Sequence, residues 1–204
     1  MIKQVLTNDE IQANADNIEQ LIKKITRSGA NIDELLSRLE NSDFYTAPAS
    51  TKYHGSYPGG LADHCLCVYH NLVSLVNSKH LTNISEESII IVSLLHDLDK
   101  INKYEIYTRN VPPSKDCPNW TKEDSYKTKE NNNLFIYGNH EQNSEFLIRQ
   151  YIPLTVEESV AILHHMGGMS FDSAQDNIGL VYDKYPLAVL LHLADMLSCY
   201  MDKA

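Results

Sequence analysis

Positive charge is scarce in this chain: 17 lysines and arginines stand against 27 aspartates and glutamates, a formal net charge of −10. That balance disfavours broad, non-specific capture of nucleic acid or of an anionic membrane, since both need basic surface. Long duplex nucleic acid is therefore not an expected partner. A small anionic substrate is not excluded, because a buried metal cluster brings its own local positive charge. Long apolar runs are missing too. Ile89-Ile90-Ile91-Val92 soon meets His96 and Asp97, well short of a membrane span. Met1-Ile2-Lys3-Gln4 lacks the charged-then-apolar pattern of a signal peptide. The four cysteines, at 65, 67, 117 and 199, form neither a C-x-x-C pair nor a zinc-ribbon spacing. Cys65 and Cys67 flank Leu66 in an apolar run, where free cysteine packs as a small hydrophobe. The expectation is a soluble cytoplasmic protein with reduced thiols and no membrane partner.

What is present is ordinary in bulk. With 204 residues, 43% of them hydrophobic, the chain has the material for one domain with a real core. Its patterning is helical. Ile11, Ile18, Leu21, Ile22 and Ile25 recur at helical spacing over 8–28, with Gly29 as a stop. Residues 31–40 repeat this with Ile32, Leu35, Leu36 and Leu39. A polar, glycine-rich stretch from Thr46 to Gly60 follows. Helical spacing returns from Leu61 to about Lys79. Asn83 or Ser85 can cap the next helix, which is apolar almost all round from Ile89 to Leu95 and so is expected to be central. Residues 103–137 break the pattern, with strand-like pieces at 104–109 and 134–137, and read as a loop or small β-hairpin insertion. Helices resume at 139–151, 155–166 and 184–202. The expected fold is an all-α bundle with this insertion: one domain over 1–204, in which a helical appendage, 1–45, packs on a core of 46–204.

The residues with chemistry are His64, His96-Asp97, His140, His164-His165 and Asp195. A His-Asp dipeptide arises by chance about 0.6 times in such a composition, so the pair alone carries nothing. A lone histidine in an apolar helix is ordinarily a satisfied core residue. Placement makes the difference. His96-Asp97 follows Ile-Ile-Ile-Val-Ser-Leu-Leu, His64 sits in Leu-Ala-Asp-His-Cys-Leu-Cys-Val, and Asp195 in Leu-Leu-His-Leu-Ala-Asp-Met-Leu. An ionised carboxylate in such surroundings is costly unless it is paired or binds metal. Several polar groups turned inward from separate apolar helices point to a metal. Neighbouring side chains on a helix diverge by about 100°, so His96 and Asp97 can share an ion over the seam between them. Imidazole with carboxylate suits one or two divalent ions such as Mn, Fe, Co, Ni or Mg, and the absence of cysteine ligands argues against structural zinc.

The order His64, His96-Asp97, Asp195 resembles the signature of the HD superfamily of metal-dependent phosphohydrolases. The stretches Lys52–His64, Leu94–Lys100 and Ile162–Gly168 are similar to those of uncharacterised bacterial and phage HD-domain proteins. The resemblance runs from about Ala47 to Asp195. It implies an HD-type helical bundle in which His64, His96, Asp97 and Asp195 bind a first ion. It also implies that Asp97 bridges to a second ion held by two further histidines, here matched by His140 and His165. One departure is visible. The family pattern is Gly-His-x-Glu, whereas in Gly138-Asn139-His140-Glu141 the histidine falls one place later, a turn of about 100° on a helix.

The implied reaction is hydrolysis of a phosphoester or phosphoanhydride by a metal-activated water, on a small substrate such as a nucleotide. Lys100, three and four residues beyond Asp97 and His96, can reach a substrate phosphate, or else is a solvated helix-end cation. Lys52, His54 and Tyr57 would supply polar contacts at the rim, where glycines allow a ligand close, although Pro58-Gly59-Gly60 also reads simply as a helix start. Trp120 and the insertion's tyrosines offer rings to stack on a base or to pack on the body. Asp99 and His192 adjoin the ligands and can support them. The alternatives are a di-iron oxygenase on the same six ligands, and an inert module that binds a nucleotide or a partner.

Overall fold

The computed structural model describes residues 5–113, 118–130, 134–167 and 178–202. Cys117 and the final glycine of the His-His-Met-Gly-Gly motif, Gly168, lie outside these residues. The chain is mostly helical, with one small antiparallel sheet: α1 (Asn8–Ile22), α2 (Ile32–Glu40), α3 (Gly60–Ser78), α4 (Glu86–Leu95), β1 (Tyr104–Val111), β2 (Thr121–Thr128), α5 (His140–Arg149), α6 (Val156–Leu163), α7 (Ile178–Lys184) and α8 (Pro186–Leu197). Among the described residues no helix is long and apolar enough to cross a membrane.

Local chemistry sets most boundaries. Thr7 caps α1 and Thr155 caps α6 in reciprocal capping boxes with Glu10 and Glu158, while Asn139 does the same for α5 with Gln142. Ser85 caps α4. Pro186 opens α8, where its fixed φ and missing N–H cost nothing. α1 ends at Ile22 rather than running on to residue 28. The helical spacing continues to Ile25 because that side chain is buried from two i→i−3 turns, Lys24 N–H to Leu21 and Ile25 N–H to Ile22. Thr26 and Arg27 then leave the helix path to meet Glu87 and Glu158.

α3 packs on both α4 and α8, and α6 closes against α8. Every residue of α4 from Ile89 to Leu95 is buried, as its apolar circumference requires. Ile18, Leu21 and Ile22 of α1 and Leu35 and Leu39 of α2 enter the same cluster of buried side chains as Leu72 of α3, Ile91 of α4 and Leu191 of α8.

The insertion is a two-stranded ribbon with Tyr104 opposite Thr128 and Val111 opposite Thr121. Its second strand is the polar segment 121–128, not the apolar 134–137. Cross-strand partners explain the choice: Glu105 pairs with Lys127 at 2.9 Å, Thr108 with Asp124 at 2.8 Å, and Arg109 with Glu123. Phe135 and Tyr137 instead stack on Phe146 of α5.

The 46–60 stretch is held by backbone bonds, Ala49 N–H to Gly55, Gly59 N–H to Thr46 and Leu61 N–H to Ala47. Its glycines serve close approach of the chain to itself. A Cβ on Gly60 would stand 2.0 Å from the Gly55 carbonyl oxygen, and one on Gly59, at φ 82°, would strike Ile11 of α1 at 2.8 Å.

Candidate metal centre

Five elements deliver polar side chains to one point. His64 comes from the middle of α3. His96 caps α4, and Asp97 follows in a turn that tightens into a 3₁₀ segment, Leu98–Lys100. His140 is the first residue of α5, His165 lies just past α6, and Asp195 is on α8. All but His140 are buried.

Asp97 is the hub, and its two oxygens face different partners. Oδ2 lies 3.6 Å from His64 Nε2, 3.5 Å from His96 Nε2 and 2.6 Å from Lys100 Nζ. Oδ1 lies 2.6 Å from His140 Nε2 and 3.8 Å from His165 Nε2. Asp195 Oδ1 stands 3.2 Å from His64 Nε2. Ligand atoms about 2.1 Å from one ion are separated from each other by about 3.0–3.4 Å in octahedral or tetrahedral arrangements, close to these spacings.

The far side of each ring is already committed. His96 Nδ1 bonds the Ser93 carbonyl at 3.0 Å, His165 Nδ1 the Ile162 carbonyl at 2.7 Å, and His64 Nδ1 the Ser198 hydroxyl at 3.0 Å. For His96 and His165 a carbonyl can only accept, so Nδ1 carries the proton and Nε2 presents a lone pair. Six buried side-chain polar atoms among the described residues lack a well-aligned hydrogen bond, and four are imidazole nitrogens of this cluster: Nε2 of His96 and His165, and Nε2 of His64 and Nδ1 of His140, which face the carboxylates of Asp195 and Asp99. Lone pairs converging on carboxylates in a buried space are unfavourable without a cation between them. These buried His/Asp groups can therefore hold a metal ion, and four overlapping triplets have the spacing for it: His64-His96-Asp195, His96-Asp97-His165, Asp97-Asp99-His140 and His54-His64-Cys199.

Charge states fit. Burial holds His96 below its usual range and takes His165 down to about 4, leaving both neutral. Burial would raise Asp97, but Lys100, His96 and His140 outweigh it and keep the carboxylate ionised. Asp195 is likewise held low against burial by His64. His140 behaves differently: burial opposes its charge, yet Asp97 and Asp99 lift it to about 9.

The one-residue departure around His140 has a local explanation. Asn139 takes the helix-capping position, so His140 begins α5 and reaches Asp97 from there. His164, which caps the end of α6, is outside the clustered groups, whereas His165 is inside. Lys100 is half-buried and paired with Asp97 rather than free in solvent; α4 has ended, and the 3₁₀ turn brings the two together. Asp99 is closer to the centre than its sequence position suggested, its carboxylate against His140 Nδ1 and also 2.7 Å from Lys103 Nζ. His192 Nδ1 donates to the His165 carbonyl at 2.7 Å, steadying that turn.

The rim residues divide. His54 sits with its ring 5.0 Å from His64, and burial lowers it to about 4. Tyr57 is buried and its hydroxyl donates to Asp63 at 2.6 Å. Lys52 is exposed, over the Tyr53 ring. Trp120 is exposed ahead of β2 and lines neither cavity described below. A cavity of about 280 Å³ opens on the cluster, lined by Asp97, His140, His165 and Asp195 together with His54, Lys100, Lys103 and Tyr104. Lys103 carries no signal in the sequence, and Tyr104 stands out only as one of the insertion's tyrosines, because no periodicity there marks a face toward the site. No protein-family model matches the chain, and no curated protein and no solved structure matches it.

Proposed function

We propose that the protein is a metal-dependent phosphohydrolase of the HD type, a single domain acting in the cytoplasm on a small phosphoester or phosphoanhydride such as a nucleotide. The observation that carries the proposal is the divided hub. Asp97 Oδ2 faces His64 and His96, with Asp195 beside them, while Oδ1 faces His140 and His165. His64, His96, Asp97 and Asp195 would hold one ion, and Asp97, His140 and His165 a second. Such ions supply Lewis acidity, which makes a water nucleophilic near neutral pH.

The chain's own groups do the rest. Ser93, Ile162 and Ser198 fix the three buried rings so that each Nε2 faces inward. Asp99 orients His140 from its Nδ1 side. Lys100, at the wall of the cavity, offers an ammonium to a phosphoryl oxygen and is held there by Asp97.

The test is the metal content of protein purified without chelators, followed by phosphoester hydrolysis with added Mn, Fe, Co, Ni or Mg. About two ions per chain and metal-dependent release of phosphate are expected. No metal uptake under any of these conditions would sink the enzyme reading and leave an inert binding module. Iron with dioxygen-dependent turnover, and no phosphate release, would replace the hydrolase with an oxygenase.

A further inference from the structure

A second cavity, of about 460 Å³, adjoins the first, and His140 and Lys103 line both. Its size is that of pockets for nucleoside-sized ligands. The floor is apolar, from Ile101 and Leu147, and one wall is the 134–138 segment. Leu134, Phe135, Ile136 and Gly138 of that segment line the cavity, and large side chains there stand in water: Phe135 is 46% exposed and Ile136 62%, with Tyr137 next to them at 63%. A run of this kind on a soluble surface marks a contact for something else. Asn143 shapes the wall: its Oδ1 accepts from the N–H groups of Tyr137 and Gly138, both at 2.8 Å.

Arg38, from the last turn of α2, also lines the cavity and is exposed. The chain has four arginines. Arg27 is paired with Glu158, Arg109 with Glu123 and Arg149 with Glu145. Arg38 alone has no carboxylate partner among the described residues. In a chain of net charge −10, an unpaired guanidinium at the mouth of a cavity is a receptor for an anion.

We propose that this cavity binds the non-reacting part of the substrate, a flat and largely apolar group such as a nucleobase with its sugar, bearing a second anionic substituent that Arg38 takes. The proposal rests on the phosphohydrolase reading of the neighbouring centre, and it names the substrate as an organic phosphoester with two separated anions. His140 and Lys103, shared by both cavities, are where the reacting and non-reacting parts would join. The helix contributing Arg38 lies outside the segment that resembles HD proteins, so this specificity would be the chain's own.

Titration calorimetry on the full chain, treated with chelator so that no turnover intervenes, tests it. The probe is adenosine 3′,5′-bisphosphate, with inorganic phosphate as control. One bisphosphate per chain is expected to bind. Arg38→Gln should weaken it about tenfold, the loss of one charge-assisted pair, and Ile136→Ser should weaken it several-fold. Inorganic phosphate alone should bind far more weakly than the bisphosphate, and neither variant should alter thermal stability, since both side chains are exposed and Arg38 has no carboxylate partner to lose. Failure of the wild type to bind the bisphosphate, or equal affinity in Arg38→Gln, would overturn the proposal. The two readings fail separately: Arg38-dependent binding without any metal-dependent hydrolysis keeps the cavity and removes the enzyme, whereas hydrolysis with Arg38-independent binding does the reverse.

Discussion

The two ends of α4 carry two buried ionic clusters built on opposite terms. At the N-terminal end, Glu158 is wholly buried, yet every oxygen is met. Arg27 forks onto it through Nη1 and Nη2, both at 2.7 Å, Ser88 Oγ donates at 2.7 Å and Thr155 N–H at 2.8 Å. The same guanidinium reaches Glu87 at 3.3 Å and the Pro153 carbonyl at 3.1 Å. At the C-terminal end, His96 and Asp97 meet three other histidines and Asp195; His140 Nε2 bonds Asp97, while Nε2 of His64, His96 and His165 face inward without a hydrogen bond. Both ends have charge in a dry interior. One is complete as it stands and ties α6 and the segment after α1 to α4, while the other has the groups to hold a cation. Satisfaction of the polar atoms, not burial or charge, separates a structural network from a binding centre.

The strongest way to sharpen this contrast is Asp97→Ala. It removes the one carboxylate common to both halves of the centre, so turnover should fall at least about a thousandfold, near 4 kcal/mol at about 1.36 kcal/mol per factor of ten. Metal retention, measured by elemental mass spectrometry, should fall with it. Full turnover in this variant would dismiss Asp97 as the hub.

Arg27→Ala should break the other end. It leaves Glu158 buried without its counter-charge, a loss of about 3–5 kcal/mol, equal with and without metal in chemical denaturation. The pH dependence follows from the sign of the Glu158 shift. Burial pushes this carboxyl up, but the Arg27 fork and the Thr155 and Ser88 donors hold it below its ordinary value of 4.5. The unfolded chain therefore binds the proton more readily than the folded one. The stabilisation is fully present above the unfolded value and is lost as pH falls through the folded one. Stability curves of wild type and Arg27→Ala should converge on acidification; parallel curves would mean that Glu158 is not the group responsible.

On the metal side, Ser198→Ala should have a smaller effect than Asp97→Ala. It frees His64 Nδ1 while leaving Nε2 in place, so metal affinity measured by chelator competition should drop about 10–100-fold. Unchanged affinity would show that the α3 and α8 backbones alone orient the ring.

Much of the mostly helical architecture was legible in the sequence, because buried helices write themselves as 3.6-residue periodicity and capping residues mark their starts. Ser85, Asn139, Thr155 and Pro186 all sit at such starts. The metal-capable cluster was legible for a related reason: His64, His96-Asp97 and Asp195 stand out as polar residues in apolar helices. What the sequence hid lies where pairing is non-local. The partner strand of 104–111 is a polar segment with little intrinsic strand pattern, selected by cross-strand charges. Arg27 reads as an ordinary surface arginine until α6, 131 residues on, presents Glu158. Arg38 and the second cavity are invisible for the same reason, since their walls come from α2, the 3₁₀ turn and α5.

The mildest change asks whether the satisfied end is redundant. Ser88→Ala removes one donor to Glu158 Oε1, and with it the 2.9 Å contact between Ser88 Oγ and Ser85 Oγ. Arg27 still grips both carboxylate oxygens, so Glu158 keeps its counter-charge. The loss should be that of a single hydrogen bond, about 1 kcal/mol, or about 2–4 °C in Tm for a chain of this size, with no change in metal affinity. A loss as large as that of Arg27→Ala would mean that the network acts as one cooperative unit, and that the serine is as necessary as the guanidinium. A loss that vanished on adding metal would couple the two ends of α4 through the helix and undo the separation between them. The additive outcome is expected because the two clusters share no side chain, and distant sites without common partners contribute independently.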